Sequence, residues 1–91
     1  MSLTDMMGYM AATLTSIAFL PQVLKTIRTR DTSSISLLMY SLFVAGVLCW
    51  LIWGLLLQQW PVILANLVTF ALSAIILSMK IYAVIVKHEA P

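Results

Sequence analysis

The hydrophobic positions of this chain fall into two long blocks that contain no charged residue. One block lies between Asp5 and Lys25, and the other lies between Asp31 and Lys80. A membrane crossing takes about 20 residues, so the second block predicts two crossings joined by a turn. The pattern therefore predicts three membrane-spanning helices, over about residues 6–27, 35–57 and 61–86.

Polar residues and prolines mark the ends of these helices. Asp5, or Thr4 before it, is expected to cap the first helix. The segment "RDTSSIS" supplies a polar turn and candidate caps for the second helix. The turn "QQWP" follows that helix, and its Pro61 suits the first position of the third. No internal repeat or soluble domain is found, so residues 1–91 are predicted to form a single three-helix unit.

The composition supports a membrane protein and argues against a soluble domain or a nucleic-acid-binding protein. The chain is 63% hydrophobic and only 9% charged, which is too apolar for a soluble domain of this size. A net charge of +2, spread along the chain, does not favour nucleic-acid binding. Cys49 is the lone cysteine and is interpreted as packing within a helix. The N-terminus lacks the basic region of a signal peptide, so the first helix is expected to be retained.

The basic residues predict the orientation in the membrane. They lie in the first loop and near the C-terminus, and "QQWP" has none; they are Lys25, Arg28, Arg30, Lys80 and Lys87. The positive-inside rule places that loop and the C-terminus in the cytoplasm, and the N-terminus and "QQWP" outside the cell membrane. Trp60 then lies at the outer interface, and Tyr40 and Tyr82 near the inner one.

Alternating steps of four and three place six residues on one face of the second helix, here called the stripe. The stripe consists of Met39, Phe43, Gly46, Trp50, Trp53 and Leu57. In an all-apolar helix such a face is usually a packing seam. Two indoles beside a glycine also suit a binding surface, and an indole N–H within the hydrocarbon needs an acceptor.

Asn66 is a candidate acceptor for the Trp50 N–H. Both residues are eight positions from Gln58, so an antiparallel hairpin places them at one depth, about 12 Å from the turn. Asn66 could simply join helices by hydrogen bonding. An indole face beside an amide would also suit a sugar, because the ring covers C–H groups and the amide binds hydroxyls.

The segment "FLPQVLKTIRTR" contains a proline within the first helix. Pro21 leaves the carbonyl of Ile17 without its helical partner, a deficit that Gln22 or a neighbouring helix could partly satisfy. Proline could produce a static kink in a packed helix. It could equally form a hinge that moves the cytoplasmic end of the helix beside Met39 and Phe43.

These segments resemble the PQ-loop family, and specifically the bacterial SemiSWEET sugar transporters. The resemblance rests on "FLPQVLKTIRTRDTSSIS", "MYSLFVAGVLCW" and "ILANLVTF", which occur in order over nearly the full length. It implies an all-α triple-helix bundle in the spatial order 1-3-2, and a parallel homodimer with the translocation path on the twofold axis. Three helices alone can scarcely enclose a sugar-sized cavity, which also favours a dimer.

The resemblance also implies roles for individual residues. Trp50 and Asn66 match residues of the sugar pocket. Met39 and Phe43 match the cytoplasmic gate, and Pro21 and Gln22 match the hinge. The outer gate departs from the pattern. Many relatives have a tyrosine, an arginine and an aspartate where this chain has Trp53, Leu57 and Gln59, so outer closure would rest on Trp53 and Leu57.

The function expected from this reading is facilitated transport of a mono- or disaccharide, of the glucose or sucrose class, by alternating access. Uncoupled transport is expected because Asp5 and Asp31 are terminal to the helices and His88 is in the tail. The alternatives are a PQ-loop carrier of another small neutral solute, or a noncatalytic subunit of a membrane complex. No enzyme activity, metal or other cofactor is expected, and the expected partners are membrane lipids and a second copy of the chain.

Overall fold

The computed structural model describes residues 2–91, which form three α-helices joined by short connections. The helices are α1 (Leu3–Thr29), α2 (Leu37–Leu57) and α3 (Trp60–Val86). Each is long and apolar enough to cross a membrane. The protein is therefore a multi-pass membrane protein, elongated to 50 × 24 × 14 Å.

The third helix lies between the other two. It packs against α1 on one side and α2 on the other, whereas the backbones of α1 and α2 do not come into contact. The predicted spatial order 1-3-2 is thereby confirmed. Because the two outer helices are held apart, a groove remains between them on one face of the unit.

The helix ends differ in detail from the sequence prediction. Ser2, rather than Asp5 or Thr4, caps α1, and its Oγ accepts a hydrogen bond from the Asp5 amide at 3.1 Å. Ser36 caps α2 by accepting from the Met39 amide at 3.2 Å, as "RDTSSIS" suggested. Pro61 is the second residue of α3 instead of the first, because α3 begins at Trp60.

Two glycines allow the outer helices to approach α3 closely near its start. A Cβ added at Gly8 of α1 would lie 3.2 Å from Pro61 Cγ, and one added at Gly54 of α2 would lie 3.1 Å from Val62 Cγ1. Small residues at helix contacts are typical of membrane bundles, because association there depends on close packing. The beginning of α1 and the end of α2 are thus both packed closely against the start of α3.

Very little of the apolar surface is buried within one chain. Among residues 2–91, five hydrophobic side chains are buried, and most large ones are exposed. The buried set is Val23, Val47, Ile63, Ile76 and Ala83. Such extensive exposed apolar surface is stable only where lipid or another protein surface covers it.

Candidate functional site: the uncovered face of α2

The stripe is not the face by which α2 packs on α3. Val47 and Gly54 are the buried residues of α2. Gly46 and Trp53 each precede one of these by a single position, which rotates them by about 100° around a helix of 3.6 residues per turn. The stripe therefore lies to the side of the face that packs on α3, and all six of its residues are exposed.

The two indoles of the stripe are exposed and in contact with each other. Trp50 is 57% exposed and Trp53 is 45% exposed. Their ring centroids are 5.4 Å apart and the rings are nearly perpendicular, at 80°. Edge-to-face packing of this kind restricts both rings while leaving an indole face free.

Gly46 makes a gap in the same face. A Cβ added there would meet no atom within 4 Å. Unlike Gly54, this glycine is not required for contact with α3. It leaves space at the middle of the stripe, one turn of helix from Trp50.

Asn66 lies at nearly the same depth as Trp50. Trp50 is seven residues before the end of α2, and Asn66 is six residues after the start of α3. At 1.5 Å per residue these positions differ in depth by about 1.5 Å. The hairpin therefore brings an indole and an amide to one level in the membrane, as the sequence predicts.

The expected hydrogen bond between these two side chains does not form in the single chain. The amide Nδ2 of half-buried Asn66 donates to the backbone carbonyl of Val62, at 2.9 Å. Among residues 2–91, the Asn66 side chain makes no other hydrogen bond. Its amide oxygen therefore accepts none from the protein. The oxygen remains able to accept from a ligand hydroxyl.

A groove of about 500 Å³ opens between α1 and α2 toward the end of the bundle where the first loop lies. Met39, Tyr40 and Phe43 line it from α2, and Phe19 and Gln22 line it from α1. The rings of Phe19 and Phe43 lie 6.1 Å apart between centroids and narrow the groove at its deeper end. The predicted gate pair Met39 and Phe43 thus comes together with a residue of α1.

Charged groups occur at the mouth of this groove, on Lys25 and Asp31. The Asp31 carboxylate accepts hydrogen bonds from the Ser33 hydroxyl at 2.6 Å and the Ser33 amide at 3.0 Å. These two hydrogen bonds lower the pKa of Asp31 below its ordinary value, and the bond from the hydroxyl has the larger effect. The carboxylate therefore serves to shape the loop and is ionised at neutral pH.

The proline of α1 does not end the helix. Residues before and after Pro21 are continuously helical, although Pro21 has no N–H to donate. Gln22 accepts a hydrogen bond at its backbone carbonyl from Thr26 Oγ1, at 3.0 Å. No described residue receives a hydrogen bond from the Gln22 side chain, so its suggested repair of the Ile17 carbonyl is absent from this conformation.

Comparisons with known proteins agree with these features. The model of the PQ-loop family, described as a PQ loop repeat, matches residues 3–63. The chain belongs to the PQ-loop family. It is 46% identical over 77 residues to the sugar transporter SemiSWEET of Leptospira biflexa, covering 85% of this chain and 91% of that one. It is likewise 46% identical over 70 residues to the SemiSWEET of Escherichia coli, covering 77% of this chain and 79% of the relative.

A solved structure extends the likeness to three dimensions. A SemiSWEET in the inward-open conformation matches with a TM-score of 0.91 at 40% identity, over 97% of this chain and 95% of that one. The resemblance to SemiSWEET proteins that the sequence indicated is therefore confirmed. These relatives are named as transporters, a non-enzymatic class, in agreement with the expectation that the chain is not an enzyme.

At the end of the bundle where α2 gives way to α3, the residues of the stripe are exposed. Trp53 is half-exposed and Leu57, the last residue of α2, is exposed. Gln59 lies just before α3 and its side chain makes no capping hydrogen bond. The three positions bear no charge, so no ion pair can form among them.

Sequence reasoning missed two residues of interest. Phe19 lies beside Phe43 at the narrow end of the groove, and its position two residues before Pro21 could have suggested a part in the gate. Lys80 was interpreted as an orientation signal at the inner interface, yet it is fully buried and ion-paired to Glu89 at 2.8 Å. Lys80 lies inside the predicted third helix, seven residues before Lys87, and this position could have suggested that its charge needs a partner.

Proposed function

We propose that this protein is a facilitative sugar transporter that works as a parallel homodimer. Two Trp50 rings and two Asn66 amides would surround one mono- or disaccharide, of the glucose or sucrose class, on the twofold axis. The relatives in Leptospira biflexa and Escherichia coli carry the name sugar transporter, which supports a sugar over another small neutral solute.

The observation that carries this proposal is the uncovered face of α2. It presents an exposed indole at the depth of a half-buried amide, with space at Gly46 beside them. An indole face covers the apolar C–H surface of a pyranose, while an amide oxygen accepts from its hydroxyls. Trp50 is not among the buried residues of α2, and the Asn66 amide oxygen accepts no hydrogen bond from residues 2–91.

The second copy supplies the walls that one chain lacks. The groove between α1 and α2 is lined by Met39 and Phe43 of the stripe, and Trp50 and Trp53 are exposed further along the same helix. A twofold axis along the membrane normal would bring the stripe of one copy toward the stripe of the other. A closed pocket of this kind uses one self-complementary surface, as in most homodimers.

Alternating access follows from gates at the two ends of this pocket. Met39 and Phe43 would close the cytoplasmic side, and α1 would bend near Pro21 and Gln22 to move its wall of the groove. Trp53 and Leu57 would close the outer side by apolar packing across the axis. The open groove beside Met39 fits an inward-open state, with the N-terminus outside the inner membrane and the C-terminus in the cytoplasm.

Transport is proposed to be uncoupled. A proton-coupled carrier usually places an ionisable residue beside its substrate within the membrane. The stripe and Asn66 contain none, and the buried Lys80 is bound to Glu89 in the cytoplasmic third of the bundle. In proteoliposomes with an internal pH dye, glucose uptake should leave the internal pH unchanged, and acidification that follows uptake would contradict uniport.

The decisive experiment is uptake of labelled glucose and sucrose into liposomes at matched folded yield. Trp50→Ala and Asn66→Ala should each lower the uptake rate by about tenfold or more, the effect expected from losing about 1.4 kcal/mol of sugar contact. Trp60→Ala and Ser78→Ala are matched controls, because they remove an indole and a hydroxyl that are exposed elsewhere. Uptake by Trp50→Ala and Asn66→Ala at the wild-type rate, as expected for the two controls, would show that the pocket is assigned wrongly.

The rival function is a noncatalytic subunit of a larger membrane complex. It predicts no sugar uptake from the purified wild-type chain, and effects of Trp50→Ala only on folding or assembly. The same liposome experiment therefore separates the two functions.

A further inference from the structure

A buried ion pair lies at the inner end of α3, away from the stripe. Lys80 has no exposed surface, and its Nζ is 2.8 Å from Glu89 Oε2. The same nitrogen donates to the backbone carbonyls of Thr32 and Ala90, each at 3.0 Å. An ammonium group has three hydrogens, so each of them has one acceptor.

This arrangement requires the C-terminal tail to turn back. His88 has a positive φ of 57°, which reverses the chain after α3. The Glu89 amide donates to the Ala83 carbonyl at 3.0 Å, and the Pro91 carbonyl accepts from the Leu37 amide at 3.0 Å. The tail therefore reaches from the last turns of α3 to the first residue of α2.

The tail also holds the loop between α1 and α2. The buried Thr32 gives its hydroxyl hydrogen to Glu89 Oε2 at 2.7 Å, in addition to the bond from Lys80 to its carbonyl. One carboxylate oxygen thus accepts from both Lys80 and Thr32. Charge-assisted hydrogen bonds of this type are stronger than neutral ones.

We propose that Thr32, Lys80 and residues 89–91 form a clasp that positions the cytoplasmic gate. The backbones of α1 and α2 do not touch, so at this end their spacing depends on the loop between them and on what holds that loop. The clasp fixes the loop and the start of α2 to the end of α3. Lys80 is a positioning residue, because it acts on the groove through the loop.

The clasp also defines which part of the chain moves. Any bending of α1 near Pro21 carries its last turns together with the loop, and the loop is bound to α3 and the tail. The spacing of the groove walls at Met39 and Phe43 therefore depends on the clasp as well as on the direct contact of Phe19 with Phe43. This part of the inference rests on the proposed transport function.

The test is amide hydrogen exchange of the full chain in lipid nanodiscs at pH 7. Glu89→Gln and Lys80→Met should each raise the exchange rate over residues 30–38 by about tenfold or more, while the outer turn at residues 58–60 exchanges as in the wild type. Lys87→Met is the matched control, because Lys87 is exposed and lies over the Tyr82 ring outside the clasp. Unchanged exchange over residues 30–38 would overturn the clasp.

Two further comparisons exclude a general loss of stability. An equal rise at residues 58–60 would indicate global loosening and contradict a local clasp. In the Lys80→Met background, adding Glu89→Gln should raise the exchange rate little further, because contacting residues act non-additively. Additive effects would overturn the assignment of both residues to one network.

Sugar uptake connects the clasp to transport. Glu89→Gln should change the glucose uptake rate by at least threefold with an unchanged folded yield, while Lys87→Met should not change it. Faster exchange with unchanged uptake would overturn the positioning role. Absence of uptake by the wild type would instead overturn the proposed function, and the exchange data would still decide whether the clasp exists.

Discussion

At the scale of single residues, the site depends on side chains that the bundle leaves unused. Trp50 and Trp53 contact each other, and both remain exposed. Asn66 donates one amide hydrogen to the Val62 carbonyl of its own helix, and its amide oxygen remains free to accept a hydrogen bond. Groups that contribute little to packing are free to contact a ligand, which makes their substitution more costly for binding than for folding.

The glycines of α2 test this distinction between packing and binding positions. Gly54→Ala should destabilise the protein by about 1–2 kcal/mol, because the new methyl would lie 3.1 Å from Val62 Cγ1. Gly46→Ala should be neutral or stabilising by about 0.5–1 kcal/mol, because its site is open and alanine favours a helix. Unfolding of purified protein in mixed micelles of increasing SDS measures both.

The same pair should behave in the opposite way toward sugar. Gly46→Ala places a methyl in the proposed pocket and should weaken sugar binding, measured at equal folded concentration. Gly54→Ala should bind sugar as the wild type does once it is folded. Weak binding by Gly54→Ala and normal binding by Gly46→Ala would place the pocket on another face.

At the scale of the helices, the resemblance to SemiSWEET proteins supplied the spatial order 1-3-2, and the sequence pattern predicted the number and approximate extent of the three elements. Long uncharged blocks are sufficient for this, because the bilayer fixes the length of a span. The details that failed depend on contacts between distant residues. Ser2 caps α1 because the helix extends beyond the apolar block, and Lys80 is buried because Glu89, nine residues later, returns to meet it.

The candidate site was predictable to a similar degree. The stripe and the common depth of Trp50 and Asn66 follow from helical geometry alone. Phe19 did not follow from it, because its contact with Phe43 joins two helices whose backbones do not touch.

Pro21→Ala tests the hinge in α1. Alanine restores an N–H that can donate to the Ile17 carbonyl, so the helix should become stiffer and at least as stable. Glucose uptake should fall severalfold with little change in sugar affinity, measured as separate rate and binding constants. Pro61→Ala is the control, since Pro61 is in the first turn of α3 and its replacement adds no interior hydrogen bond. Normal uptake by Pro21→Ala would show that the proline is only a static kink.

The tail gives a pH prediction. The hydrogen bond from Lys80, and then that from Thr32, hold the pKa of Glu89 below its ordinary value, although Asp31 nearby opposes this. A carboxyl whose pKa is lower when folded stabilises the protein above its unfolded pKa and ceases to do so as the pH falls through the folded value. Exchange protection of residues 30–38, corrected for intrinsic rates, should thus be constant from pH 8 to about pH 5 and be lost only in stronger acid. Loss of protection already between pH 7 and pH 6 would contradict an ionised Glu89 in the clasp.

At the scale of the whole molecule, one chain leaves much of its apolar surface exposed and does not enclose a cavity by itself. Its three helices are packed closely at the start of α3, beside Gly8 and Gly54, and at the opposite end Lys80 and Glu89 bind Thr32 of the first loop. Between these ends the stripe faces outward, and most large apolar side chains are exposed. Lipid can cover the other faces, but an indole pair and an amide at mid-depth are better explained by a second copy that encloses a shared cavity.

Calorimetric titration of sugar into the purified protein in nanodiscs tests this shared cavity most directly. We expect one sugar to bind per two chains, with affinity lowered by about tenfold or more in Trp50→Ala and unchanged in Trp60→Ala. One sugar per chain, or undiminished binding by Trp50→Ala, would contradict a single pocket built from the paired indoles.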